Sequence, residues 1–447
     1  MIKYVVLLLS FCFCIPGYAN TGKISEYKLP NGLKLIVKED HRAPVVISQV
    51  WYKVGSGYEP NGITGISHML EHMMFRGTKK YGPGKLKQII ADNGGNINAQ
   101  TSYDYTMYYE VLAADKLPIA FELEADRMHG LSLNRHAFQN EHKVVMEEWR
   151  MRLHDNPQSM TYERFMAAAN IATPYHHMTI GWLNDIKHYT VGDVRAWYHK
   201  WYAPNNAIVV VVGDVDPKKV YNLANQYFGA VKAHAVPQLK PQTELKTLGE
   251  RQVNIKLPAK LPWLIMGYNV PSLKTAPKTQ DAYALEVVAA ILDGGDSARI
   301  PRELVRGQQL AVDAGAYYPL YSRLDNVFLL EGTPTPNHSI AELKEALLQQ
   351  IQQLQTTLVS TQELAKIKAQ VIASETYNRD SMTAEATEIG SLEVIGLSWH
   401  HLDLYAQNIA TVTPKQIQAV ARKYLTPNRL TVATLSPQPL GKQHEKN

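Results

Sequence analysis

The chain of 447 residues has only two cysteines, Cys12 and Cys14, both close to its N-terminus. Beyond them neither a disulfide nor a thiolate metal site can form. Arginine is absent before Arg42, which argues against an arginine-rich organellar presequence. A basic block is also missing: 46 lysines and arginines are dispersed among 41 acids, for a formal charge of +5. Nucleic acid is therefore not an expected partner.

What the N-terminus does contain is Lys3, an apolar run from Tyr4 to Ile15, and the small-residue segment Gly17-Tyr18-Ala19. This pattern predicts a secretory signal over residues 1–19, cut after Ala19, and a periplasmic or secreted mature chain. A retained anchor is the alternative, but the run is shorter than the ~20 apolar residues of a bilayer span. A mature chain without cysteine suits an oxidising compartment.

With 45% hydrophobic residues, a chain of this length exceeds one ordinary core, so two domains are expected. Ile24 to Val37 reads as two strands around an Asn31-Gly32 turn, and Val45 to Val54 as a third strand. Helical periodicity covers Ile66–Phe75, Lys85–Asn93, Lys116–Met128 and Phe138–His154, with one strand expected from Asn98 to Leu112. The fold class is α+β. Thr190–Asn205 (TVGDVRAWYHKWYAPN) lies without a gap over Thr413–Asn428 (TPKQIQAVARKYLTPN), 223 positions on. Each reads as a Thr-capped helix stopped at Pro-Asn and followed by an apolar strand, which predicts a duplicated domain. The expected division is 20–232, a proline-containing linker at 233–249, and 250–447, each domain a mostly antiparallel sheet packed with helices.

Residues 67–75, SHMLEHMMF, concentrate polarity in an apolar helix. His68 and His72 are four apart and project from one helical face, close enough to share a metal ion. Glu71 lies beside them, where its carboxylate can take a proton from water at that ion. A catalytic zinc site usually needs a third protein ligand. In NEHKVVMEEWRMR, Glu141 and Glu148 are seven apart on one face with Val144, Val145 and Trp149, whereas Glu147 points with Arg150 to the polar side. The spacing selects Glu148 as third ligand and Glu141 as a supporting carboxylate. A surface origin for the motif is disfavoured by Met69, Leu70, Met73, Met74 and Phe75, among which buried histidines and a glutamate need partners.

These residues resemble the pitrilysin/insulinase family of inverted-motif zinc peptidases, in particular its small two-domain members. The resemblance rests on GISHMLEHMMFRGTKKY (65–81), GGNINAQTSYDYTMYY (94–109), EHKVVMEE (141–148) and PYHHMTIG (174–181), and it spans nearly the whole mature chain. It implies two domains facing each other across a central cavity and one Zn2+ per chain on His68, His72 and Glu148. Glu71 would act as general base, supported by Glu141, and the substrate would be a short or unfolded peptide. It further implies that Asn98, Ala99, Gln100 and Thr101 form a sheet edge onto which that peptide adds as a strand.

The second half has no HxxEH. Its LDGGDSARIPRELVRGQQLA (292–311) is similar to the family's non-zinc domain, which contributes an arginine and, shortly after it, a tyrosine toward the site. Arg306 matches the arginine, but Val312 stands where the tyrosine is expected. A chain with a complete motif and no such tyrosine resembles the catalytic half of a two-subunit peptidase whose homologous partner supplies that group. A homodimer or a monomer is the alternative, and Tyr317, Tyr318 and Tyr321 are the candidates to substitute for the tyrosine. The rival functions are a noncatalytic partner subunit of the same fold and a metal-binding protein without hydrolysis, for which Glu71 would have no use.

Overall fold

The computed structural model describes residues 22–245 and 249–439; the expected signal at 1–19 lies outside them. The first sheet is built from β1 (Ile24–Lys28), β2 (Lys34–Glu39), β3 (Val45–Tyr52), β4 (Asn96–Thr101), β5 (Thr106–Ala113) and β6 (Ala207–Gly213), in the order β1-β2-β6-β3-β5-β4. The second uses β7 (Arg251–Pro258), β8 (Trp263–Val270), β9 (Ala311–Tyr317), β10 (Asn326–Pro334) and β11 (Leu430–Gln438), in the order β7-β11-β8-β10-β9. From β2 onward the two orders correspond strand for strand. Only β2–β6 and its counterpart β7–β11 are parallel, and every other pair is antiparallel. The fold is thus α+β with two like halves, and the helices Val191–Trp201 and Pro414–Tyr424 share a threonine capping box.

Each half lends a helix to the other's sheet. β6, sequence AIVVVVG, is buried along its full length, as a strand covered on both faces must be. Its second face is covered by the helix Met382–Val394, whose Ala386, Ile389 and Leu392 join Ile36, Trp51 and Val210 in one core cluster. Reciprocally, Phe165, Met166 and Ala169 of the helix Pro157–Ala169 pack on Trp263, Ile265 and Leu435 of the second sheet. Gly390 permits the first contact, since a Cβ there would stand 2.1 Å from the Trp51 ring. Polar ties run alongside: Lys34 to Glu393 at 2.7 Å, a buried Lys38–Glu385 ion pair, and Gln49 to Thr387 at 3.1 Å.

Two sequence expectations need correction. The single strand expected over Asn98–Leu112 is the hairpin β4–β5, turning at Ser102–Tyr105, where Ser102 N donates to Tyr105 O. Asp104 drives the turn, because its carboxylate accepts from the Tyr175 hydroxyl at 2.6 Å and from Arg323 Nε at 3.1 Å. The alternating SYDY pattern conceals that demand. The helix expected over Phe138–His154 is α-helical only across Arg135–Trp149 and widens into a π-turn at Arg150–His154.

Candidate metal centre

The helix Ile66–Met73 starts at Gly65, whose φ of +85° and approach to the Ile180 carbonyl leave no room for a Cβ. Buried Glu59 caps it, accepting from the N–H groups of Gly65 at 2.6 Å and Ser67 at 2.7 Å. Gly181, at the end of PYHHMTIG, packs on the backbone of Thr64 and Gly65. Asp185 binds Thr64 through both the amide and the hydroxyl. The register of the histidines is therefore fixed from outside the helix.

His68 and His72 share one face, with ring centroids 4.8 Å apart. The helix Arg135–Trp149 crosses this face and brings Glu148 to 3.7 Å from His68 Nε2 and 3.3 Å from His72 Nε2. Ligand atoms of the three residues all lie within 4.8 Å of one another, and among the described residues no second such group of His, Cys, Asp or Glu is found. Donors at roughly 2.0–2.2 Å from a tetrahedral zinc ion stand about 3.3 Å apart. Two imidazoles and one carboxylate at these separations fit that ion.

Electrostatics agree with this donor set. Burial, reinforced by the neighbouring His72, pushes His68 down to about 4, leaving it neutral with a free lone pair near pH 7. Burial opposes charge on His72 as well, but the carboxylates of Glu148 and Glu141 outweigh it and raise its pKa. Burial likewise works against the Glu148 carboxylate, and His72, His68 and Arg152 together bring its pKa below the usual value.

Glu141 lies about two turns before Glu148 on the same helical face. It is 3% exposed and takes His72 Nδ1 at 3.2 Å and Arg76 at 2.7 Å. Glu71 accepts a hydrogen bond from Thr101 Oγ1 at the end of β4. Its pKa is raised by burial, which that hydrogen bond opposes. β4 is the outermost strand of its sheet, with Asn98 and Gln100 exposed and Ala99 half-buried. The structure thus assembles His68, His72, Glu148, Glu71, Glu141 and Thr101 in one place.

Arg306, in the second half, is exposed and donates to the Asp296 carbonyl. Val312 is 54% exposed on β9. Of the substitute tyrosines, Tyr318 is committed to the Pro271 carbonyl at 2.6 Å, Tyr321 is half-buried, and Tyr317 is exposed. Sequence reasoning missed Arg76 and Arg152. Each lies four residues beyond a site residue, His72 and Glu148 respectively, and that spacing was the available signal. Arg152, carried by the π-turn, reaches Glu148 at 2.9 Å.

Comparison with known proteins gives the same picture. Residues 34–181 match the family described as Insulinase (Peptidase family M16), and residues 188–371 match Peptidase M16 inactive domain. The zinc protease PqqE of Helicobacter pylori is 30% identical over 439 residues, covering 97% of each chain. A protease crystal structure from Helicobacter pylori superposes with a TM-score of 0.88 at 32% identity, covering 93% of this chain and all of that one. The periplasmic protease PqqL of Escherichia coli has the same fold, with a TM-score of 0.76 at 17% identity over 94% of this chain and 49% of its own. Aligned nearly end to end with the first of these relatives, the chain belongs to the insulinase family, peptidase family M16.

Proposed function

We propose that this protein is an exported zinc endopeptidase that hydrolyses short or unfolded polypeptides. The observation that carries the reading is the convergence of His68, His72 and Glu148 within 4.8 Å, with Glu71 on the same helix bonded to Thr101 of an open sheet edge. His68, His72 and Glu148 would hold the zinc ion, whose Lewis acidity polarises a peptide carbonyl and makes water nucleophilic at neutral pH. Glu71 accepts the proton of the attacking water and passes it to the departing amine. Glu141 orients His72 through Nδ1. Asn98, Ala99, Gln100 and Thr101 receive the substrate backbone as an added strand through main-chain hydrogen bonds, which places its carbonyl beside Glu71.

A two-subunit assembly is the second reading, and Val312 favours it. Val312 stands where the family's tyrosine is expected, so a homologous partner would supply that tyrosine to the site. PqqL is about twice as long as this chain, which leaves room in it for a second unit of this size. Its description as periplasmic supports the same compartment here, and no described helix is long and apolar enough to cross a membrane.

The test is metal analysis of the purified mature chain together with cleavage of a mixed unfolded-peptide library, alone and with any co-purifying partner. Glu71→Gln is expected to retain zinc and lose cleavage. Cleavage that survives in that variant removes the proposed base.

A further inference from the structure

Immediately beyond Thr101 the hairpin turn opens onto a cavity of about 230 Å³ lined by both halves of the chain. Six tyrosines contribute to its walls, Tyr103, Tyr105, Tyr162 and Tyr175 from the first half and Tyr317 and Tyr321 from the second, beside polar Ser322, Asn326 and Ser391. Tyr103 and Tyr175 lie with ring centroids 4.8 Å apart. The volume is below the roughly 300–1,000 Å³ of small-molecule sites and suits a single large side chain.

The lining also determines what charge such a side chain can carry. Asp104 is the one carboxyl facing the cavity, and it is 6% exposed with its charge already met by Arg323 and the Tyr175 hydroxyl. Burial raises the pKa of Tyr105 and pushes Tyr162 up to about 12, so these phenols stay neutral. An incoming ammonium, guanidinium or carboxylate would lose its hydration without gaining a counter-ion. An apolar ring would meet ring edges and faces.

The cavity begins where strand β4 ends. Thr101 touches Glu71 and the next residue, Ser102, lines the cavity. At about 3.3 Å per residue, a strand laid along β4 with its scissile carbonyl beside Glu71 reaches the cavity within roughly one to three residues.

We propose that this tyrosine-lined cavity is a specificity subsite that takes one large apolar side chain of the substrate, aromatic by preference, at a fixed distance from the cut. The proposal rests on the peptidase reading for its substrate, and its test separates the two. The zinc-loaded full chain carrying Glu71→Gln is titrated with short unfolded peptides that differ only in Phe, Ala, Lys or Glu at one position. Fluorescence anisotropy measures binding. In parallel, wild-type cleavage sites in a peptide library are mapped by mass spectrometry.

Phe is expected to bind at least about tenfold more tightly than Ala, Lys or Glu, and aromatic residues should be enriched at one position relative to the cut. Tyr317 is 60% exposed, so Tyr317→Ala changes the wall without emptying a core and should bring the Phe-to-Ala ratio close to one. Tyr317→Lys should turn the preference toward Glu. Equal binding of all four peptides, no binding of any, or a preference untouched by both variants overturns the subsite. Selective binding without cleavage by the wild type keeps the subsite and overturns the peptidase.

Discussion

Glu141 reaches His72 from the neighbouring helix, its Oε2 standing 3.2 Å from the ring Nδ1. A carboxylate only accepts, so in the neutral ring Nδ1 carries the proton and Nε2 presents its lone pair toward Glu148. One buried carboxylate thereby sets both the tautomer and the orientation of the ring. Glu141→Gln keeps the volume and removes that charge. Zinc affinity, measured by chelator competition, is expected to fall by roughly 10–100-fold while the circular dichroism spectrum stays unchanged. Unaltered affinity would show that His72 needs no such partner.

Thr101 joins the edge strand to the proposed base. Thr101→Val preserves shape and β-propensity but removes the hydroxyl that donates to Glu71. The expected result is a loss of about tenfold or more in kcat/KM with full zinc content, because a misplaced base slows proton transfer. Thr101→Ser restores the hydroxyl and should recover most of the rate. Equal activity of all three proteins would make the contact incidental.

The grouping of the candidate ligands was legible because helical spacing is a local property. His68 and His72, four apart, and Glu141 and Glu148, seven apart, declare their faces without reference to anything distant. The repeated Thr-capped helices announced the duplication for the same reason. The hairpin was not legible, since its turn is enforced by Asp104 meeting Tyr175 and Arg323, the latter 219 residues away in the chain. The exchange of helices between halves was equally hidden. Nothing within residues 382–394 says which sheet its apolar face will cover, and only the continuous valines of β6 hinted that its strand is buried on both sides.

That exchange yields a third prediction, at Gly390. Replacing a helix-interior glycine by alanine ordinarily gains about 1 kcal/mol through backbone entropy and propensity. Here the new methyl would lie 2.1 Å from the ring of fully buried Trp51, and overpacking a core typically costs 1–3 kcal/mol. The clash is expected to win. Gly390→Ala should lower thermal stability, and pairing it with Trp51→Phe, which vacates part of the ring, should recover some of the loss. A stabilised single variant would mean that the helix stands off the first sheet.

The remaining prediction concerns acidity in the second half. On the helix Thr279–Asp293, Glu286 is pushed from the ordinary 4.5 up to about 7 by burial, a shift opposed by the Tyr405 hydroxyl at 3.4 Å and increased by the charge of Glu375. Its folded pKa lies above its unfolded one, so between these values the folded state holds the extra proton. The associated stability is complete below 4.5 and is lost as pH rises through 7. His68 and His177, both pushed down to about 4, act in the opposite sense below pH 6.5, and their contribution is common to wild type and variant. Glu286→Gln keeps the shape and cannot ionise. Between about pH 5 and about pH 7.5 the wild type should lose on the order of 2 kcal/mol more than this variant, read as the difference between the two pH profiles in urea unfolding. Parallel profiles would mean that Glu286 is already charged in the folded protein, with water or a neighbouring cation meeting it.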